Sequence, residues 1–225
     1  MSASHSLSLL IPTALALGAL HAFGPDHIAA VSVFVSRRPS WRHAFGLGAR
    51  WGLGHSLTVV LVGGVLAVAG LRLPERFAPL AERAVGITLI VIGLFAVWRA
   101  LKLHGHWHEH GDVRHWHVHS HSHGESHAHD HGALLGIGML HGLAGTGALV
   151  VALPVAVADS AASALVFLIA FGIGTIIAMS LFSAAAGWVL GATTRTSARL
   201  HRSAIVLAGS ASVLVGVWWV IVGGA

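Results

Sequence analysis

The chain has 225 residues, of which 55% are hydrophobic and only 9% are charged, whereas about a quarter of the residues in a soluble domain are charged. The net charge of +5 does not indicate a nucleic-acid-binding protein, because the basic residues lie between long apolar runs and form no patch. The absence of cysteine excludes disulfide bonds, thiolate metal sites and a cysteine nucleophile.

Six apolar windows are long enough to cross a membrane as helices, since a hydrocarbon core about 30 Å thick needs roughly 20 residues. Residues 1–6 contain no Lys or Arg, so the first window predicts a membrane span instead of a cleaved signal peptide. The sequence therefore predicts an all-α polytopic membrane protein with six transmembrane helices. The windows cover residues 7–35, 44–71, 84–101, 133–158, 161–190 and 204–222.

The loops between these spans differ in their content of Lys and Arg, which sets the orientation in the membrane. The second loop combines basic with acidic residues, and the fourth loop contains neither Lys nor Arg. We therefore expect the odd-numbered loops in the cytoplasm and both termini outside, in a bacterial cytoplasmic membrane. The basic residues of the odd-numbered loops are Arg37, Arg38, Arg42, Arg99, Lys102, Arg114, Arg195, Arg199 and Arg202.

The chain resembles itself at an offset of 120 residues. Gly18-Ala19-Leu20-His21 aligns with Gly138-Met139-Leu140-His141, Gly52-Leu53-Gly54 with Gly172-Ile173-Gly174, and Val97-Trp98 with Val217-Trp218. Each copy contains three spans, an odd number, so the second copy must enter the membrane in the opposite orientation. The pattern predicts an inverted 3+3 repeat, with the first copy at 1–103 and the second at 132–225. Such repeats are common among transporters, whose substrate sites lie near the midplane on broken helices.

The first span contains His21, Asp26 and His27. Ionisable groups inside a membrane are costly and are functional by default. On an unbroken helix the three side chains point to roughly 0°, 140° and 240°, so they share no face. Pro25 lacks an N–H group and Gly24 tolerates unusual dihedral angles, which predicts a helix broken at Gly24-Pro25. The break would bring the three groups together and free the His21 carbonyl as an additional oxygen ligand.

Two imidazoles and a carboxylate without sulfur suit divalent nickel, cobalt, zinc or iron. His55 in the second span and His141 in the fourth are further candidate ligands. At the offset of 120 residues His21 matches His141, whereas Asp26, His27 and His55 match Thr146, Gly147 and Thr175. A hydrogen-bonded structural cluster or a proton relay remains an alternative for the motif, and an imidazole bonded to a helix carbonyl remains one for His55 and His141.

The segment 104–131 is rich in histidine and contains four acidic residues. Such a segment cannot form a core, so we expect it to be disordered when empty. Imidazoles bind divalent metals, which predicts a cytoplasmic metal-buffering loop that loses affinity below about pH 6; a passive linker is the alternative. The histidines of the loop are His104, His106, His108, His110, His115, His117, His119, His121, His123, His127, His129 and His131.

The motif of His21, four residues, Asp26 and His27 resembles the signature of the nickel/cobalt transporter family, and Leu53-Gly54-His55-Ser56 resembles its second motif. The residues from His21 to Ser32, together with His141-Gly142-Leu143-Ala144-Gly145, are most similar to the short, urease-accessory-like branch. The resemblance implies a nickel or cobalt permease whose metal site uses His21, Asp26 and His27, with His55 close by. The chain differs from larger members in having six spans instead of eight, and Gly24-Pro25 replaces their acidic-small pair.

The sequence thus predicts a secondary transporter of Ni²⁺ or Co²⁺ with no resident cofactor and no enzymatic activity. It contains no nucleotide-binding loop, no H-E-x-x-H motif and no adjacent histidines. The expected partners are the divalent ion and the bilayer, not nucleic acid. Assembly into a homo-oligomer and contact of a metallochaperone with the loop are further alternatives. Two alternatives also stay open, namely proton-coupled efflux of nickel or cobalt and a membrane-anchored protein for metal storage or sensing.

Overall fold

The computed structural model describes residues 3–37, 39–71, 77–102, 104–110, 113–119, 129–144 and 160–222. Within these ranges the chain forms seven helices and a two-stranded antiparallel ribbon. The elements are α1 (Ala3–His21), α2 (Pro25–Arg37), α3 (Trp41–Ala69), α4 (Phe77–Leu101), β1 (His104–His110), β2 (Val113–His119), α5 (His129–Leu143), α6 (Ala161–Thr196) and α7 (Ala198–Val222).

The protein is a helical, multi-pass membrane protein. Helices α3, α4, α6 and α7 are long and apolar enough to cross a bilayer, and α1 with α2 forms a further, bent pair. These five elements correspond to five of the six predicted spans. For the fourth predicted span the structure describes α5, whose apolar part Leu134–Leu143 is shorter than a full span, and most of the remainder of 133–158 lies outside the described residues.

Burial follows the pattern of a membrane protein, with polar groups inside and large apolar groups outside. Leu207 and Leu214 of α7 are 70% and 71% exposed, whereas Thr175 and Ser212 are fully buried. The Ser212 hydroxyl donates a hydrogen bond of 2.9 Å to the Leu89 carbonyl of α4. An exposed apolar surface of this extent on the spanning helices is what contact with lipid requires.

Glycines bring the helices into close contact, and three of these contacts have a counterpart at an offset of 120 residues. At Gly18 a Cβ would overlap the Phe171 carbonyl, and at Gly138 it would overlap the Trp51 carbonyl. Small residues of this kind let membrane helices approach closely. The packing of α3 on α5 thus repeats the packing of α6 on α1. Two further pairs of contacts are related by the same offset. The contact of Gly54 with Leu135 corresponds to that of Gly174 with Leu15, and the contact of Gly52 with Ile176 corresponds to that of Gly172 with Ser56.

Strands β1 and β2 lie in the segment that the sequence predicts to be disordered. The register pairs His104 with His119, His106 with His117 and His108 with His115. Trp107 pairs with Trp116 in the same ladder, and aromatic residues favour strands. The alternation of histidine with other residues has the period of a strand. Residues 111–112 and 120–128 of the segment lie outside the described residues, and its last residues, from His129, belong to α5.

Candidate metal site

The first span is broken where the sequence predicts it. Helix α1 ends at His21, α2 begins at Pro25, and the two axes differ by 60°. Proline is suited to the first position of a helix because no partner for its missing N–H is needed there. The Gly24 N–H donates a hydrogen bond of 2.9 Å to the His21 carbonyl. The break is therefore confirmed, but the expectation of a free His21 carbonyl is wrong, because the turn itself uses this oxygen.

The break brings three imidazoles from three helices together. His21 lies at the end of α1, His27 in the first turn of α2 and His55 within α3. One ring nitrogen of each lies within 4.8 Å of the others, and the ring centroids are 4.8 to 5.1 Å apart. Ligand nitrogens around one ion are about 3 to 3.4 Å apart at metal–nitrogen distances of about 2.1 Å. Small ring rotations would therefore close the site around an ion.

Two histidines of this cluster, His27 and His55, have buried ring nitrogens without hydrogen-bond partners among the described residues. His27 and His55 are each 2% exposed. Among the described residues, neither nitrogen of His55 has a hydrogen-bond partner, nor does Nε2 of His27. Leaving a buried polar group unpaired costs about 1–3 kcal/mol, so native structures rarely do so. A metal ion that accepts these lone pairs would remove this cost.

Asp26 lies beside the three imidazoles. Its Oδ2 is 3.0 Å from His27 Nδ1, and its side chain is buried in the first turn of α2. The positive end of the α2 dipole favours a carboxylate at this position. A carboxylate that faces the second nitrogen of a ligating imidazole fixes the ring orientation and raises its basicity. The geometry therefore suits Asp26 as the partner of His27, whereas the group of side chains whose ligand atoms converge consists of His21, His27 and His55.

His141 borders the cluster from α5, 120 residues after His21 in the sequence. Its ring centroid is 5.6 Å from that of His27 and 4.8 Å from that of Trp51. Nδ1 lies 3.1 Å from the Ile137 carbonyl, as in an imidazole bonded to its own helix. The buried Nε2 has no hydrogen-bond partner in the described part of the chain. His141 thus has the hydrogen bond to a helix carbonyl that is expected of a structural imidazole. Its second nitrogen remains available to an ion.

Hydroxyl groups of α3 and α6 form hydrogen bonds between helices next to the histidine cluster. The Thr175 hydroxyl, at the position equivalent to His55, lies 3.0 Å from the Gly18 carbonyl. From the other side, the Ser56 hydroxyl donates a hydrogen bond of 3.0 Å to the Gly172 carbonyl. Both bonds tie the spanning helices together next to the imidazoles. Thr146 and Gly147, the equivalents of Asp26 and His27, lie outside the described residues.

Aromatic rings form walls of the site that sequence analysis missed. His21 packs against Phe171 with centroids 5.4 Å apart, and His141 packs against Trp51 at 4.8 Å. The two pairs are related by the offset of 120 residues. Trp51 and Phe171 are equivalent at the offset of 120 residues. A comparison of aromatic positions in the repeat would therefore have singled out both residues. Of the loop histidines, His121, His123 and His127 lie outside the described residues.

Gly24→Ala is expected to weaken metal binding by about 10- to 100-fold, as disturbed partners of metal ligands do. A Cβ at this position would lie 2.7 Å from Asp26 Oδ1 and 3.3 Å from His27 Nδ1. Calorimetric titration of the purified, full-length protein with Ni²⁺ measures the effect. Gly136→Ala is the matched control, because a Cβ there meets no atom within 4 Å. Equal affinities in the two variants would contradict the assigned geometry.

Comparison with curated proteins gives three relatives. The chain is 29% identical over 202 residues to the urease accessory protein UreH of Bacillus sp. (strain TB-90), covering 89% of this chain and 86% of the relative. It is 30% identical over 179 residues to the Arabidopsis thaliana chloroplast protein FOR GROWTH AND FERTILITY 1, covering 78% of this chain and 48% of that protein. The second Arabidopsis protein of this name is 31% identical over 168 residues, covering 74% and 44% of the two chains.

No solved structure matches the chain. None of the three relatives carries the name of an enzyme. The family model of the cytochrome c biogenesis protein transmembrane region matches residues 17–218. This range includes the break of the first span, the histidine cluster and the later spanning helices as far as residue 218. The chain therefore belongs to the family of the cytochrome c biogenesis protein transmembrane region.

Proposed function

We propose that the chain is a secondary transporter that moves Ni²⁺ or Co²⁺ across the bacterial cytoplasmic membrane. The observation that carries the proposal is the buried cluster of His21, His27 and His55 at the break of a membrane span, with unpaired nitrogens on His27 and His55. Nitrogen and oxygen donors without sulfur suit these ions. The metal is the substrate, so no resident cofactor and no enzymatic activity are needed.

The repeated packing supports an inverted 3+3 repeat. Close glycine contacts recur at the offset of 120 residues in α1, α3, α5 and α6, which is what two copies of one three-span unit would produce. Broken helices at the interface of such copies hold the substrate in transporters. Residues 1–103 and 132–225 would form the copies, and both termini would lie outside.

The relatives and the motifs support nickel or cobalt as the ion. The urease accessory protein matches almost the whole chain, in keeping with the resemblance to the urease-accessory-like branch of the nickel/cobalt transporter family. The family description refers to cytochrome c biogenesis. These 225 residues contain no cysteine, so thiol chemistry is excluded for them, and the imidazoles are the chemistry that the site offers.

The membrane potential is sufficient to drive uptake. A divalent ion gains about 2 × 2.3 kcal/mol per 100 mV of inside-negative potential, which corresponds to roughly 1000-fold accumulation. Efflux would have to overcome this energy, and it would need exchange against protons. Asp26 and the imidazoles around it are the groups that could carry them. Proton-coupled efflux therefore remains the alternative that uses the same site.

The loop would serve as a metal buffer at the cytoplasmic side. The cross-strand register of His104, His106 and His108 with histidines of β2 supports this role, because residues directly opposite each other in a ribbon have Cβ atoms about 5 Å apart. Several weak sites on one short segment raise the local concentration of metal near the transport site. A metallochaperone or a second copy of the chain would be its partner.

Removal of residues 104–131 tests transport against storage or sensing. In proteoliposomes with an inside-negative potential, we expect the shortened chain to take up Ni²⁺ or Co²⁺ at a rate within about threefold of the intact chain. The reason is that the loop raises only the local concentration of metal. Protein-free liposomes give the background. Uptake that falls to this background on deletion would contradict the proposal and would support a protein whose loop is the active part.

A further inference from the structure

The histidine cluster is closed to its surroundings. His27, His55 and His141 are 2%, 2% and 3% exposed. Trp51 and Phe171, which pack against the cluster, are 1% and 2% exposed. Under the proposed function, an ion reaches the cluster from one side of the membrane and leaves to the other. Side chains that border the cluster must therefore move during transport.

Two aromatic rings stand at the ends of a row of imidazoles. Phe171 lies at one end, with its ring centroid 5.4 Å from that of His21, and Trp51 lies at the other end, 4.8 Å from His141. Between them, the centroid distances are 5.0 Å from His21 to His55, 5.1 Å from His55 to His27 and 5.6 Å from His27 to His141. The imidazoles that could hold an ion therefore lie between two large aromatic side chains.

Helices α3 and α6, which carry the two aromatic rings, run antiparallel. A Cβ at Gly48 of α3 would overlap the Ser183 side chain of α6, and a Cβ at Gly172 of α6 would lie 2.9 Å from the Cβ of Ser56 of α3. The residue numbers thus rise along α3 as they fall along α6. Two antiparallel spanning helices begin on opposite sides of a membrane.

Each ring lies one turn before the position of His55 or of its equivalent. Trp51 precedes His55 by four residues in α3, and Phe171 precedes Thr175, the equivalent of His55, by four residues in α6. Four residues correspond to about 6 Å along a helix. Trp51 is therefore displaced towards the side where α3 begins, which the basic residues predict to be cytoplasmic. Phe171 is displaced towards the opposite side.

The indole of Trp51 also carries a polar group that the packed arrangement leaves unpaired. Its Nε1 is buried without a hydrogen-bond partner among the described residues, and the same holds for the Ser183 hydroxyl. Ser183 packs on Gly48, about one turn before Trp51 in α3. Buried polar groups without a partner are rare in native structures. Water that enters when the Trp51 ring moves aside would pair both groups, which favours movement at this position.

We propose that Trp51 and Phe171 are the two gates of the metal site, an inference that rests on the proposed function. The Trp51 ring closes the site towards the side where α3 begins, and the Phe171 ring closes it towards the other side. The two residues are equivalent at the offset of 120 residues. In an inverted repeat, equivalent residues lie on opposite sides of the membrane, and transport proceeds by gating of one copy against the other. Displacement of one ring at a time would give the ion access to one side at a time.

Both rings also pack in the apolar core between the helices, and this packing role predicts a different result. Loss of a ring that only fills space would loosen the helices and admit water from both sides. Loss of a gate admits water from one side only, and the side differs between Trp51 and Phe171. The side from which the cluster can be reached therefore distinguishes a gate from a packing residue.

Thiol labelling of the full-length protein measures this access. The chain contains no cysteine, so His55→Cys introduces a single thiol within the cluster. A membrane-impermeant methanethiosulfonate is added to right-side-out or inverted membrane vesicles without metal, and mass spectrometry of the purified protein gives the labelling rate. Combined with His55→Cys, Trp51→Ala should raise the rate at least about tenfold from the side where α3 begins, because labelling follows the population of the open state. Phe171→Ala should do so from the opposite side only.

Two control variants accompany the test. Leu89→Ala should leave the labelling rate unchanged, because Leu89 is fully buried on α4 but lies outside the row of rings. Trp51→Phe keeps an aromatic ring, the one found at the equivalent position 171, and should label at a rate close to that of His55→Cys alone. Thermal unfolding identifies any variant that loses the fold, and Trp51→Leu or Phe171→Leu then takes its place.

The proposal is overturned if either ring variant speeds labelling from both sides, if both act from the same side, or if neither speeds it. The assay contains no metal, so its result is separate from that of the proposed function. Absence of Ni²⁺ and Co²⁺ uptake by the intact chain would reject transport whatever the labelling shows. Uptake without the one-sided labelling would reject the gates alone.

Discussion

His27→Ala is expected to abolish transport of nickel and cobalt. His27 lies at the centre of the imidazole cluster, with its ring centroid 4.8 Å from that of His21, 5.1 Å from that of His55 and 5.6 Å from that of His141. It also links Asp26 to the cluster. Disturbing a partner of a ligand costs 10- to 100-fold in metal affinity, so the loss of the ligand itself should cost about 100-fold or more.

Uptake of Ni²⁺ and Co²⁺ into proteoliposomes, together with calorimetric titration of the purified protein, measures this effect. His43→Ala is the control, because His43 lies at the beginning of α3 and outside the group of residues that could hold a metal. Thermal unfolding of both variants reports whether the fold is intact. Retention of most of the uptake by a folded His27→Ala variant would contradict the assigned site.

Asp26→Asn is expected to have the second-largest effect. The side chain is 7% exposed within a membrane span, where a carboxylate costs about 2.5–3.5 kcal/mol and is retained for function. The amide removes the negative charge that balances a divalent ion, and it changes the group facing His27 Nδ1. We expect the metal affinity to fall by about 10- to 100-fold, because a carboxylate partner orients its imidazole and increases its basicity.

The same variant separates the two directions of transport. If Asp26 carries protons, Asp26→Asn abolishes counterflow driven by an acid gradient in proteoliposomes. Voltage-driven uptake would continue at higher metal concentration. Asp26→Glu keeps the charge and serves as the control. Unchanged acid-driven flux in Asp26→Asn would reject proton exchange through this residue, and unchanged metal affinity would reject its role beside His27.

The broken first span and its polar groups could be predicted from local sequence. Pro25 has no N–H, and the angular positions of His21, Asp26 and His27 share no face of a straight helix. Both facts depend only on neighbouring residues. The approach of His55 to this motif could be anticipated only as a hypothesis, because it depends on how α3 packs. The glycines that determine this packing are visible in the repeat, but their partners are not.

Other features required the three-dimensional structure. The Gly24 N–H donates a hydrogen bond to the His21 carbonyl. The absence of an N–H group at Pro25 does not by itself show which donor takes its place. The orientation of Asp26 towards His27 depends on the first turn of α2. Composition alone predicts disorder for the ribbon at His104–His110 and Val113–His119, whereas the alternation of its histidines has the period of two residues that is typical of a strand.

Metal content of cells tests the central claim most directly. Nickel and cobalt are supplied separately to cells that carry the intact chain, His21→Ala or no transporter. We expect the intact chain to change the cellular content of at least one ion, upwards for import or downwards with improved survival for efflux. We also expect His21→Ala to return the content to that of cells without the transporter. Equal contents of both ions in all three cultures would contradict transport through the histidine site.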